Sequence, residues 1–104
     1  MVIVNTTFHV HKPLADEFIR WVKEEYAPCA AREDMVAPRL TEIFDGVDPE
    51  ATSYAFSVTT RNIDEARKWH EGEAASALRS RLSERYGERI LFFTTYMKSL
   101  PLFQ

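Results

Sequence analysis

Three histidines carry most of the acid–base chemistry open to this chain: His9, His11 and His70. An imidazole changes charge near neutral pH, so His9 is a candidate general acid or base, that is, a proton shuttle. The competing reading is a hydrogen bond inside an interface. His11 follows two residues later, and in extended chain both rings project to the same side. Paired imidazoles can begin a metal site, but two ligands do not complete one. No carboxylate stands in evident place to finish it, so neither metal nor cofactor is expected. Asn5 and Thr7 share the His9 side of the segment. With Ser57 and Tyr96 they are the candidate ligand-binding residues, together with His11. His70 follows Trp69 in a helical stretch, where it either points into a pocket between helix and sheet or is a structural histidine. Cys29 is read as an inert thiol, because no cationic cluster or helix start is there to hold a thiolate.

Those side chains are positioned by a simple order of elements. Residues 2–11 alternate at period two: Val2, Val4, Phe8 and Val10 on one side, Asn5, Thr7, His9 and His11 on the other, with Ile3. Lys12-Pro13 ends this strand and starts a helix, with Asp16 and Glu17 in its first turn. Leu14, Phe18, Trp21, Val22 and Tyr26 make its apolar stripe. The helix is expected to run to about Glu25 and to be interrupted at Pro28. Residues 37–45 read as a second strand of poor alternation, and Asp45-Gly46-Val47-Asp48-Pro49 as a turn. Residues 51–60 form a third strand that closes a hairpin with the second. Asn62 with Glu65 resembles a capping box. A long helical stretch then runs to Tyr86, bent or split at Gly72 and stopped at Gly87. Residues 89–98 form the last strand.

Composition narrows the function classes. The chain has 104 residues, enough for one domain and too few for two. Net charge is −3, so there is no basic excess to neutralise phosphates, and nucleic acid is not an expected partner. Arg79, Arg81, Arg85 and Arg89 cluster, but Glu84 and Glu88 lie among them, which reads as a solvated helix face. One cysteine cannot make an internal disulfide. With no membrane-length apolar run and no leader-like start, the expectation is a cytoplasmic protein without a membrane partner. The three glycines do not form a phosphate-binding loop.

The order β-α-β-β-α-β implies a ferredoxin-like α+β sandwich: a four-stranded antiparallel sheet with both helices on one face. The other face is bare. Strand one sends Asn5, Thr7, His9 and His11 there, and strand three sends Ser53, Ser57 and Thr59. For strand four the alternation leaves two sets open, Ile90, Phe92, Thr94 and Tyr96 or Leu91, Phe93, Thr95 and Met97. Both sets are largely apolar. A face mixing bulky apolar and small polar groups suits pairing with a second copy around a polar cavity.

The opening VNTTFHV, the segment FIRWVKEEYAP and the ending YGERILFFTTYM resemble an uncharacterised bacterial family of domains of unknown function. More broadly, the whole chain is similar to the dimeric α+β barrel superfamily. The resemblance implies a ferredoxin-like fold and a homodimer built through the sheet face. It permits the cofactor-independent monooxygenase, isomerase or cyclase chemistry found in that superfamily. In the smaller family a histidine often stands where this chain has Tyr26, before Ala27-Pro28. Three function classes follow. The first is a homodimer binding a small organic molecule in a polar cavity on or beside the sheet. The second is an enzyme in which His9 shuttles a proton while Asn5, Thr7 and Tyr96 orient the substrate. The third is a protein-interaction or regulatory module.

Overall fold

The alternation of the first ten-residue segment is realised as strand β1, Val2–His11, in which every second residue is buried. Val2, Val4, Thr6, Phe8 and Val10 face inward. The structure, a computed structural model, describes residues 1–44 and 46–103. β1 lies in the middle of a sheet ordered β2-β3-β1-β4, with β2 at Val36–Ile43, β3 at Ala51–Thr60 and β4 at Ile90–Lys98. All three pairings are antiparallel. This is the four-stranded α+β sandwich that the element order requires.

The first helical layer is longer than the sequence suggests. α1, Ala15–Trp21, passes into a π turn at Val22–Tyr26 and then into α2, Ala27–Arg32. Pro28 was expected to interrupt the helix; instead the chain widens one turn before it. The Ala27 N–H bonds to the Val22 carbonyl, five residues back. Pro28 thereby falls in the first turn of α2, where a missing N–H leaves no bond unmade. The π turn also rotates Tyr26 into the core, where it is fully buried.

The poor alternation of β2 has a local cause. The register shifts between Val36 and Arg39, and Ala37 adopts a positive φ of 52° there. A bulge of this kind puts two residues opposite one and breaks the period of two. The expected turn after β2 includes Asp45, which lies outside the described residues. The rest of it is pinned by Asp48, whose Oδ1 accepts the Glu50 backbone N–H at 2.9 Å.

The second layer holds α3, Ile63–His70, and α4, Glu73–Tyr86. Asn62 caps α3 by accepting the Glu65 N–H at 2.9 Å. The break between the helices falls at Gly72, where a Cβ would collide with the Lys68 carbonyl oxygen. Gly87, at φ 55°, turns the chain out of α4 towards β4.

The core between layers is aromatic. Phe8 sits 4.9 Å from Phe18 and 5.4 Å from Phe92, ring centre to ring centre. Tyr26 stacks on Trp21 at 4.9 Å and meets Trp69 at 5.6 Å. Cys29 is buried within the same core, consistent with its reading as an inert thiol.

Candidate functional site

Pairing with β1 decides the face of every β4 side chain, because directly opposed residues share a side. Val10, Phe8, Thr6 and Val4 oppose Ile90, Phe92, Thr94 and Tyr96. These four therefore face the helices. Leu91, Phe93, Thr95 and Met97 take the open face, beside His9, Thr7, Asn5 and Ile3. Two polar clusters result, one on each side of the sheet.

On the open face, His9 lies opposite Ser53 in the β1–β3 register. Its Nδ1 is 3.2 Å from Ser53 Oγ, and its Nε2 is 3.2 Å from Asp48 Oδ2. Asp48 comes from the hairpin turn, and its carboxyl is held below the usual range by the Glu50 backbone N–H and by His9. The imidazole is thus oriented from both nitrogens. Asn5 donates to Thr7 at 3.4 Å, and Ser57 lies across from Asn5. His11 shares this face at the strand end. Among the described residues no three His, Cys, Asp or Glu side chains converge as metal ligands.

Tyr96 is not part of this group. The set His9, Asn5, Thr7 and Tyr96 is divided by the sheet, since Tyr96 opposes inward-facing Val4. Its hydroxyl instead meets His70 Nδ1 at 3.1 Å on the helix side. His70 Nε2 is 2.9 Å from Thr94 Oγ1, which is 2.9 Å from the hydroxyl of buried Thr6. A continuous chain of polar groups thus runs Tyr96–His70–Thr94–Thr6. Beside it, Arg79 donates to the Tyr26 hydroxyl at 2.8 Å and to the His70 carbonyl. Arg79 corrects the reading of its cluster as a wholly solvated face, being only 9% exposed. The signal was in the spacing: Ala75, Leu78, Arg79 and Leu82 fall on one helical stripe, and all are buried. Thr6 was missed because a threonine among valines does not announce a partner 88 residues away.

Burial, reinforced by the Arg79 charge, pushes the His70 pKa down to about 4. The ring is therefore neutral at physiological pH. Tyr96 is raised, first by burial and then by the charge of Glu71. The unfolded chain protonates His70 near 6.5, while the folded protein holds it neutral to about 4. Between these values the unfolded state binds more protons, so stability is expected to fall as pH drops through that window. The loss is about 1–2 kcal/mol once solvent screening at a half-buried ring is allowed for. Urea unfolding of the wild type and of His70→Gln at pH 7 and pH 4.5 checks this. A pH dependence equal in both proteins would show that His70 is not its source.

A cavity of about 410 Å³ opens beside Tyr96 where β4 meets the start of α3. Val2, Ile63 and Met97 supply its apolar wall, Arg61 and Lys98 its charge, and Tyr96 also lines it. A larger groove of about 760 Å³ runs between α1 and α4, but it mixes glutamates with arginines and touches neither cluster.

An antiparallel sheet in the order β2-β3-β1-β4, with helices on one face only, defines the chain as a ferredoxin-like α+β protein. Three solved structures share that fold over nearly their whole length. A proposed antibiotic biosynthesis monooxygenase from Deinococcus radiodurans is 13% identical with a TM-score of 0.74, covering 100% of this chain and 97% of that one. An ethyl tert-butyl ether D family protein from Bacillus halodurans C-125 is 9% identical with a TM-score of 0.63, covering 96% and 100%. A dimeric ferredoxin-like protein from an uncultured marine organism is 8% identical with a TM-score of 0.62, covering 100% and 97%. No curated protein matches by sequence. The chain belongs to the family of the domain of unknown function DUF4286, which matches residues 1–100.

Proposed function

We propose that this protein is a homodimer that binds a small organic molecule in the cavity beside Tyr96. The observation that carries the reading is the lining of that cavity: apolar Val2, Ile63 and Met97 stand beside Arg61, Lys98 and a Tyr96 side chain that is held by its hydroxyl's bond to His70. A mostly apolar cleft with a few oriented polar groups is the usual form of a small-molecule site. The dimer accounts for the open face, where Leu91, Phe93 and Met97 are 52%, 64% and 39% exposed in one continuous row. Such a row on an uncovered sheet is suited to a second sheet. That a neighbour of the same fold is described as dimeric supports this. No helix is long and apolar enough to cross a membrane among the described residues.

The test is a fragment screen by protein-observed NMR. Ligands should shift the signals of Val2, Ile63, Tyr96 and Met97 together, and Ile63→Ala should weaken them about three- to tenfold, as loss of apolar contact does. Fragments that never perturb that group would remove the reading.

A second reading places chemistry on the open face. His9, bracketed by Asp48 and Ser53, is an oriented imidazole in a surface that a dimer would enclose with Asn5, Thr7, His11 and Ser57. It would serve as the proton shuttle of a cofactor-independent enzyme of monooxygenase, isomerase or cyclase type. Turnover that survives His9→Gln unchanged would exclude it.

A further inference from the structure

The Tyr96 cavity has a charge pattern unlike the rest of the molecule. The chain is acidic overall, at −3, yet among the described residues no carboxylate lines this cavity, while Arg61 and Lys98 do. Arg61 approaches Glu65 only to 4.0 Å, with its side chain 83% exposed, so its charge is barely offset. Lys98 makes no ion pair among the described residues. Behind the wall, the Arg67 guanidinium lies 5.4 Å from the Tyr96 ring centre. Arg79 is buried one shell deeper, hydrogen-bonded to a phenol and a carbonyl and to no carboxylate. A buried cation without a counter-ion is costly, and it projects positive potential into the space around it. Glu71, whose charge reaches Tyr96, and Glu65 oppose this field but do not cancel four cations.

The wall thus offers two cations, Arg61 and Lys98, beside the apolar side chains of Val2, Ile63 and Met97.

We propose that the cavity selects small organic anions, carboxylates with an apolar body, whose oxygens meet the Arg61 and Lys98 charges while the body lies against Val2, Ile63 and Met97. This rests on the reading that the cavity holds a ligand, and it names that ligand's class. The arrangement combines charge-assisted hydrogen bonds with burial of the ligand body.

The experiment is calorimetric and NMR titration of the full chain with 3-phenylpropionate and with 3-phenylpropanamide, which differ in charge but hardly in shape. The expected result is a carboxylate bound about tenfold more tightly than the amide, with the advantage shrinking as salt is raised. Arg61→Gln/Lys98→Gln should bring the two within about twofold, since both side chains are exposed and the fold does not depend on them. Both probes should shift the NMR signals of Ile63 and Met97 together. An amide that binds as tightly as the carboxylate, still shifting those signals, would overturn the anion selectivity and leave the cavity reading standing. If neither probe binds, or binding leaves those signals unmoved, the cavity reading falls and the selectivity with it.

Discussion

Replacing Phe93 by lysine is expected to break the proposed homodimer into monomers while leaving the fold intact. Phe93 is 64% exposed and lies on the open face between Leu91 and Met97, across from Thr7. It touches none of the inward core, so the change costs the monomer within about 0.5 kcal/mol, as for an ordinary surface position. In a two-fold dimer the same patch meets itself, and one substitution removes apolar contact and adds charge on both sides at once. A central aromatic anchor is worth about 2 kcal/mol or more when truncated, which is about thirtyfold in dissociation constant. Light scattering across a dilution series, paired with circular dichroism, reads both halves of the expectation. A variant that stays dimeric at the wild-type concentration range would place the interface elsewhere.

Phe8→Ala should have the opposite consequence, a large loss of stability at any protein concentration. Phe8 has no exposed surface. Its ring meets Phe18, Trp21, Tyr26 and Phe92 at 4.9–6.2 Å, so it joins the first helical layer to strands β1 and β4. Truncation removes the transfer energy of the ring and leaves a cavity that four bulky neighbours cannot easily fill. Comparable substitutions cost about 3–5 kcal/mol. A domain of this length is held by only about 5–15 kcal/mol, so the variant should lose about a fifth or more of its stability. Urea denaturation measures it directly. A loss below about 1 kcal/mol would mean that the core repacks around the gap.

The two phenylalanines differ in facing. Phe8 binds the layers into the scaffold that holds Tyr96 and His70 in place, and in the proposed dimer Phe93 governs whether the open face is covered. The two polar clusters are separated by the sheet itself. Substitutions within the Tyr96–His70–Thr94–Thr6 chain are therefore not expected to disturb His9, nor those at His9 to disturb that chain.

Much of this arrangement is legible in residue order. The alternation of β1, the capping at Asn62, the break at Gly72 and the stop at Gly87 are local effects of side-chain and backbone geometry, and local effects are written in neighbouring residues. So was the side of the sheet on which Asn5, Thr7, His9 and His11 stand. The bulge at Ala37 and the π turn before Pro28 were not, because each is a compromise with distant packing: the strand must keep its register with β3, and Tyr26 must reach the core. The face of β4 was undecided for the same reason. Both of its alternating sets are apolar, and only the pairing of Thr6 with Thr94 selects one. The Tyr96–His70–Thr94–Thr6 chain, the burial of Arg79 and the bracketing of His9 by Asp48 and Ser53 each join residues from separate elements. Sequence alone determined which elements form and which way β1 faces. Tertiary pairing decided which polar groups meet, because a hydrogen bond between remote residues depends on register and layer contact that no local pattern encodes.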